Sequence, residues 1–393
     1  AEQMNRFAAI VWGLKDQLPP RLGTTRAGDL MSLAKLGLRI RRLGKEDMRE
    51  FLRIAGINVY DVLQERFDSD LLKGTLSLDG TLGSFLGPRS NNSVFCALHR
   101  FNGGKGYAIP EGGMGTVSVA LDGAARGAGA RIRTGARVHE IRMDFDRVCG
   151  VTLEDGEELS ADVIVSNADP VTTFERLLGP RHLEAGFANR VHHIRNRGCV
   201  AKLHLALDGT PMFAGLDGEQ RGQRLVIAPD LDYVERAFNH AKYGEYSAHP
   251  VMEISVPSVF DDSLAPAGKH VLSANVQWAP YDLAAGWSEA KEDFEALCLD
   301  TLEAYAPGIR EQVIASELLT PADLEAEFGM TGGHWHHGEF SLDSFFMLRP
   351  VPGAAQYRTP VDGLYLCGAG SHPGGGVMGC AGRNAAQAVL DQA

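Results

Sequence analysis

Two hydrophobic rhythms divide the chain. In residues 1–106 apolar positions recur at helical spacing. Phe7, Ile10, Val11 and Leu14 fall at i, i+3, i+4 and i+7, one face of a helix. Leu30, Leu33, Ala34 and Leu38 form a second stripe beside Lys35, Arg39, Arg41 and Arg42. That segment reads as a surface helix with its stripe in the core. Basic residues flanking an apolar face equally fit a helix lying on a membrane surface. A further helix is predicted over 61–67, and the run Gly87–Asn92 breaks the pattern.

Beyond residue 106 the rhythm changes. A glycine turn at Gly112, Gly113 and Gly115 leads into a helix with Val117, Ala120, Leu121, Ala124 and Ala125 on one face, small enough to pack closely on a sheet. Strands are predicted at 130–133 and 136–141, and a hairpin pairs 148–153 with 158–159 around Glu154-Asp155-Gly156. Ala161–Val165 is a short apolar run of the kind buried on both faces. Further strands are expected at 200–207, 225–227, 251–256 and 270–276. Helices are expected to begin at Ser288, with Phe294, Leu297, Cys298, Thr301, Leu302 and Tyr305 as a stripe, and at Thr320-Pro321. The chain closes with the strand Gly363–Cys367, a glycine loop, and a helix carrying Val377, Cys380, Ala381, Asn384, Ala385, Ala388 and Val389 on one face.

Composition narrows the function classes. A length of 393 residues leads us to expect two domains, with room for a sizeable core. The net charge of −12 argues against sequence-independent nucleic-acid binding, which needs Lys and Arg against phosphate. The six cysteines are scattered, the closest pair being Cys367 and Cys380, so there is no C-x-x-C motif for metal or redox work. Scattered thiols suit a reducing compartment. No apolar run approaches the roughly 20 residues needed to span a bilayer, and no signal peptide is visible. We therefore expect a cytoplasmic protein, membrane-peripheral if the basic helix meets lipid and mitochondrial if the source is eukaryotic. The chain opens AEQMNRFAAIVWG, without an initiator methionine and already inside a helical pattern, so its natural start is expected upstream.

Glycine is the compositional outlier, at 46 of 393 residues against an average of about 7%. Five of them crowd between Gly368 and Gly376, after a strand and before a helix. A loop without side chains lets backbone N–H groups approach a flat or anionic ligand, and a helix that follows points its positive end at it. A tight structural turn is the plainer reading of the same residues. The dinucleotide fingerprint G-x-G-x-x-G after a first strand is missing: Gly113-Met114-Gly115-Thr116-Val117-Ser118 fails at its last position. His334, His336, His337 and Glu339 invite a zinc reading, but they do not form the H-E-x-x-H helix pattern and no cysteine joins them, so no metal is expected.

YAIPEGGM at 107–114, ADVIVSNADP at 161–170 and GLYLCGAGSHPGGG at 363–376, continued through Val377-Met378-Gly379, resemble the phytoene (carotenoid) desaturase-like branch of the FAD-dependent amine-oxidase superfamily. HWHHGEF at 334–340 and Leu348-Arg349-Pro350 carry the likeness further, and it runs through the whole chain in order. The resemblance implies an α/β fold: a Rossmann-like FAD/NAD(P)-binding domain, here incomplete, interleaved with an α+β substrate domain. Residues 1–106 and 172–344 would form the substrate domain, and 107–171 and 345–393 the middle and C-terminal parts of the FAD-binding domain. The N-terminal Rossmann unit would be absent, which predicts weak FAD retention.

The resemblance also implies roles. Val138 would meet the adenine, and Asn167 and Ala168 would face the pyrophosphate. Gly368, Ala369 and Gly370 would line the phosphates and ribityl chain. Gly376, Val377 and Met378 would present N–H groups to the flavin edge that gathers negative charge. Gly112, Gly113 and Met114 would pass close to the ring. The cofactor FAD would take a hydride from an apolar, polyene-like or lipid-like substrate while the protein orients the substrate and excludes water. His336 and His337 are the candidates to assist proton loss. The alternatives are a binding or scaffold protein that kept the fold without redox turnover, a disulfide reductase, for which no cysteine pair is spaced, and a metal hydrolase.

Overall fold

Alternation of buried and exposed residues sets up three sheets in the computed structural model, which describes residues 2–21, 23–101, 108–377 and 379–391. The first is an antiparallel meander of β1 (Val138–Asp144), β2 (Arg147–Leu153) and β3 (Glu158–Ser160). The second is a parallel pair, β4 (Ile164–Ser166) beside β10 (Leu364–Leu366), which joins segments 200 residues apart. The third is antiparallel and five-stranded, in the order β6 (Leu225–Ile227), β7 (Val251–Ser255), β8 (His270–Gln277), β5 (Val200–Leu207) and β9 (Val313–Leu319).

The five-stranded sheet has two unlike faces because its strands alternate. Along β5, Ala201, Leu203, Leu205 and Leu207 are buried, while Lys202, His204 and Ala206 point the other way and keep partial exposure. The buried face packs on the helix Trp287–Tyr305 through Phe294, Cys298 and Leu302, spaced i, i+4 and i+8. A second cluster forms where the N-terminal helices, carrying Phe7, Ile54, Val62 and Leu98, meet Phe340, Phe345 and Phe346. A third joins the meander to β10 through Ile141, Val148, Phe174, Phe187 and Leu364.

Several expectations need correction. Residues 130–133 are not a strand: Ile132 is exposed, and Arg133 turns outward to a carboxylate of Glu157 at 2.7 Å. β4 is not buried on both faces, since Val163 and Val165 are 40% and 45% exposed. The helix Gly115–Gly127 forms as expected, but none of its residues is buried, and Val119 and Leu121 lie largely in solvent. The helix Ala27–Arg41 likewise has no buried residue, so its stripe is not in the core; Leu36 and Ile40 pack partly on the N-terminal cluster, while Leu30, Met31 and Leu38 stay exposed. The long helix starts from Gly286, whose φ of 77° breaks the chain direction, not from Ser288. β9 went unpredicted because an edge strand with one open face carries no clean alternation (Ala315, Ser316 and Glu317 are all exposed).

Phe294 is fully buried, so Phe294→Ala should lower unfolding stability by about 3–5 kcal/mol in urea titrations, through lost burial and the cavity left behind. A loss under about 1 kcal/mol would contradict this packing.

Candidate functional site

β4 and β10 run parallel and end side by side, and the ladder continues one step further as the Cys367 amide donates to the Ser166 carbonyl at 2.9 Å. Both segments therefore leave the sheet at one edge, the carboxyl end where parallel sheets receive ligands. There Asn167, Trp335, His337, Gly368, Ala369 and Gly374–Gly376 border a cavity of about 330 Å³, closed on its other side by Gly379–Gly382. The packing explains the glycines. A Cβ on Gly368 would sit 2.6 Å from the Asn167 carbonyl oxygen, one on Gly370 2.5 Å from Pro170, and one on Gly375 2.7 Å from His336 Nδ1.

The last helix begins at Cys380, not at Val377 as the sequence suggested, because Gly379 adopts a left-handed conformation with φ 64° just before it. The N–H groups of Cys380, Ala381 and Gly382, free of helical partners, border the cavity in place of those of Gly376 and Val377. Gly376 still lines the cavity, and Val377 is exposed. Met378 lies outside the described residues, as does Tyr107.

The wall opposite the glycines is the run His334–Gly338. Asp169, buried at the end of the β4 loop, accepts hydrogen bonds from the Thr172 amide at 3.0 Å and hydroxyl at 2.6 Å and from the Thr331 hydroxyl at 2.8 Å, which anchors this run beside the loop. Arg349 locks it from behind. Its guanidinium, 1% exposed, donates to the carbonyls of Ala369, His336, Gly338 and Glu339 and to Ser344, with no carboxylate in ion-pair range among the described residues. Burial pushes its pKa down only to about 10, so it stays charged at neutral pH. Glu339 does not turn towards the histidines; Arg195 and Arg197 hold its carboxylate at 2.8 and 2.6 Å. No set of three metal-ligating side chains gathers among the described residues.

The histidines around this cation are neutral. Burial, helped by the Arg349 charge, pushes His334 down to about 3 and His336 well below its ordinary value. His337 is also lowered by burial, with Asp169 opposing. His337 Nδ1, His336 Nδ1, His334 Nε2, Trp335 Nε1 and Ser371 Oγ have no hydrogen-bond partner among the described residues. Orphaned polar atoms, free helical N–H groups and a wall from which side chains are excluded suit a ligand with its own polar edge. The donor set therefore fits a flavin cofactor.

The remaining sequence candidates lie elsewhere. Gly113 and Met114 border a larger cavity of about 670 Å³ over the open face of the five-stranded sheet, and the Gly112 amide donates to Asp261 at 2.7 Å. Ala168 sits in the β4 loop, where its carbonyl accepts from the Thr173 hydroxyl at 3.3 Å. Val138 opens β1, paired with Leu153. Sequence reasoning missed the structural part played by Arg349, and it missed Lys202 and His204 on the open sheet face. The signal for the last two was present: polar residues at every second position of an otherwise apolar strand.

Neutral buried histidines give a signed pH dependence. His372 donates through Nε2 to the Leu14 carbonyl at 2.8 Å, and burial lowers its pKa to about 4. The unfolded chain takes up protons below its ordinary value of 6.5 that the folded chain refuses. Stability present above pH 6.5 is therefore lost as pH falls towards about 4 for His372 and about 3 for His334. Each ring adds a slope of about 1.4 kcal/mol per pH unit. Urea unfolding between these limits should show His372→Gln with a shallower slope by about that amount, and an unchanged slope would contradict the neutral state.

Comparison with known proteins agrees with this geometry. The description "flavin containing amine oxidoreductase" matches residues 40–390. The chain is 36% identical to the pyridine nucleotide-disulfide oxidoreductase domain-containing protein 2 of Mus musculus over 412 aligned positions, covering 99% of this chain and 71% of that one. It is 27% identical to a lycopene-forming phytoene desaturase of Pseudescherichia vulneris, covering 74% of this chain and 57% of that one. An oxidoreductase structure from Methanosarcina mazei superposes with a TM-score of 0.58 at 20% identity, over 93% of this chain and 73% of that one, which shows a shared fold. The cofactor these likenesses indicate is FAD, and the chain belongs to the flavin-containing amine oxidoreductase family.

Proposed function

We propose that this chain is a desaturase- or dehydrogenase-type oxidoreductase that holds FAD at the glycine cavity and oxidises an apolar, lipid-like or polyene-like substrate held over the open face of the five-stranded sheet. The observation that carries the reading is the pairing of β4 with β10, which brings Asn167, Gly368 and the free amides of the last helix to one cavity edge. Gly368, Ala369 and Gly374–Gly376 would hold the cofactor by backbone contact, and the N–H groups of Cys380–Gly382 would face its electron-rich edge. FAD, when bound, supplies a two-electron acceptor for a hydride from the substrate. The chain itself orients the substrate and keeps water out. His337, neutral and with Nδ1 free, is placed to accept a proton, and Arg349 holds the His336 and Gly338 carbonyls so that the rings keep their orientation.

The large cavity supports an apolar substrate. Ile109, Pro110, Leu264, Val271 and Ala315 line it, and its volume suits a small organic molecule. The helix Ala27–Arg41 supports contact with a membrane surface, since Leu30, Met31 and Leu38 are exposed beside basic side chains. Among the described residues no helix is long and apolar enough to cross a membrane.

Two experiments test this reading. Titrating the purified chain with FAD, followed by quenching of flavin fluorescence, should give saturable binding that Gly368→Ala weakens at least about tenfold, since its Cβ would strike the Asn167 carbonyl. No saturable binding, or binding unchanged in the variant, would overturn the cofactor placement. Co-sedimentation with phosphatidylserine-containing vesicles should retain the wild type and lose a variant with Leu30, Met31 and Leu38 changed to serine. Equal recovery of the two would remove the membrane contact.

A further inference from the structure

The open face of the five-stranded sheet is not uniformly apolar. Two adjoining cavities, of about 670 and 510 Å³, share Ile109, Lys202, Ser255 and Ser273 and so form one groove. At one end lie Pro110, Leu264, Val271 and Ala315. At the other lie Arg100, Arg224, Glu253 and Asn275, with Lys202 between. The groove is therefore amphipathic along its length.

Charge at the polar end is arranged in a particular way. Arg224 donates to Glu253 at 2.6 Å and to Asp79 at 2.7 Å. Arg100 reaches Asp79 at 3.1 Å and also contacts Glu253. Two cations and two carboxylates thus neutralise one another. Lys202 is the charge left over. Among the described residues its ammonium meets only the neutral Asn275 side-chain oxygen, at 3.0 Å, and the Asn275 amide in turn is spent on Glu253 at 2.9 Å. No carboxylate lies within ion-pair range of Lys202 among the described residues. The next polar neighbour on the same face is His204, paired across the ladder with Glu317 on the exposed edge strand. Burial lowers the pKa of Lys202, with Glu253 opposing. A desolvated cation without a counter-ion is unfavourable in the empty groove and becomes favourable when an anion arrives.

We propose that Lys202 receives an acidic head group, and that the substrate is an amphipathic acid whose apolar body lies along Ile109, Pro110, Leu264 and Val271. The assignment rests on the reading of this groove as the substrate site, and it adds the substrate's chemical class. An amine finds Glu253 already held by two arginines and an amide, which leaves it Glu317 on the exposed edge strand, away from the polar end.

The test compares three probes of equal chain length, decanoate, decanol and decylamine, by calorimetric titration of the full chain saturated with FAD. Decanoate should bind at least about tenfold more tightly than decanol, and decylamine most weakly. Lys202→Met should weaken decanoate at least about tenfold and leave decanol within about twofold, while Lys202→Arg keeps the preference. Equal binding of decanoate and decanol, tightest binding of decylamine, or decanoate binding that survives Lys202→Met would overturn the proposal. Flavin absorbance that stays with the chain through gel filtration of the same samples reports separately on the oxidoreductase reading. Missing flavin bands would sink that reading, and the head-group comparison would still decide this one.

Discussion

Arg349 is a cation with almost no access to water, and the candidate site is arranged around satisfying it without a counter-charge. Its guanidinium is planar and carries five N–H donors in a fixed fork. The acceptors come from two stretches of chain that would otherwise have no reason to stay together: Ala369 in the glycine loop, and His336, Gly338, Glu339 and Ser344 in the histidine run and the turn after it. Phe340 lies under the same guanidinium at 5.4 Å. A lysine has neither the fork nor the reach to replace it. Each carbonyl left without its donor would carry a desolvation penalty of about 1–3 kcal/mol. The glycine loop can lack side chains and still hold a shape because a neighbouring element fixes it from outside.

That constraint explains what could and could not be read from the sequence. Local patterns were legible where one element decides its own fate. The alternation in β5 and the spacing of Phe294, Cys298 and Leu302 both appear as expected. The strand–glycine loop–helix at the C-terminus was legible as a ligand-approach element because five glycines in nine residues have few other uses. Its register was not. Gly379, one glycine among many, delays the helix by three residues, and only the backbone shows which glycine takes the left-handed conformation. Exposure was misread at β4 and along Gly115–Gly127 for a related reason. Apolar character predicts a buried face, but burial needs an opposing layer, and no pattern within the segment itself reports whether one is there.

The helix Ser93–Arg100 links the glycine loop to the groove over the sheet. His99, buried and neutral, approaches the Pro373 carbonyl in the glycine loop at 3.2 Å and packs on Phe340. The next residue, Arg100, turns to the polar end of the groove over the sheet. Adjacent positions at the end of one helix thus reach the glycine loop and the groove. The Arg100 charge even contributes to lowering the His336 pKa, after burial and nearer charges. A shift of this helix would be felt at both places.

The same chamber also has a consistent electrostatic sign. The carboxylates that come near the glycine loop are already occupied: Asp169 by two threonines and a backbone amide, Glu339 by two arginines, and Asp16, beside the start of the last helix, by Arg383 at 3.4 Å. The histidines are held neutral, so they add dipoles and orphaned nitrogens but no charge. What remains unbalanced is positive: the Arg349 guanidinium behind the loop and the free N–H groups of Cys380–Gly382 at the helix start. These fixed groups need no rearrangement when negative charge arrives, and they act at low dielectric once a ligand fills the chamber. The direction of that bias follows from the hydrogen-bond partners of each charged group, and it is the direction an electron-accepting site requires.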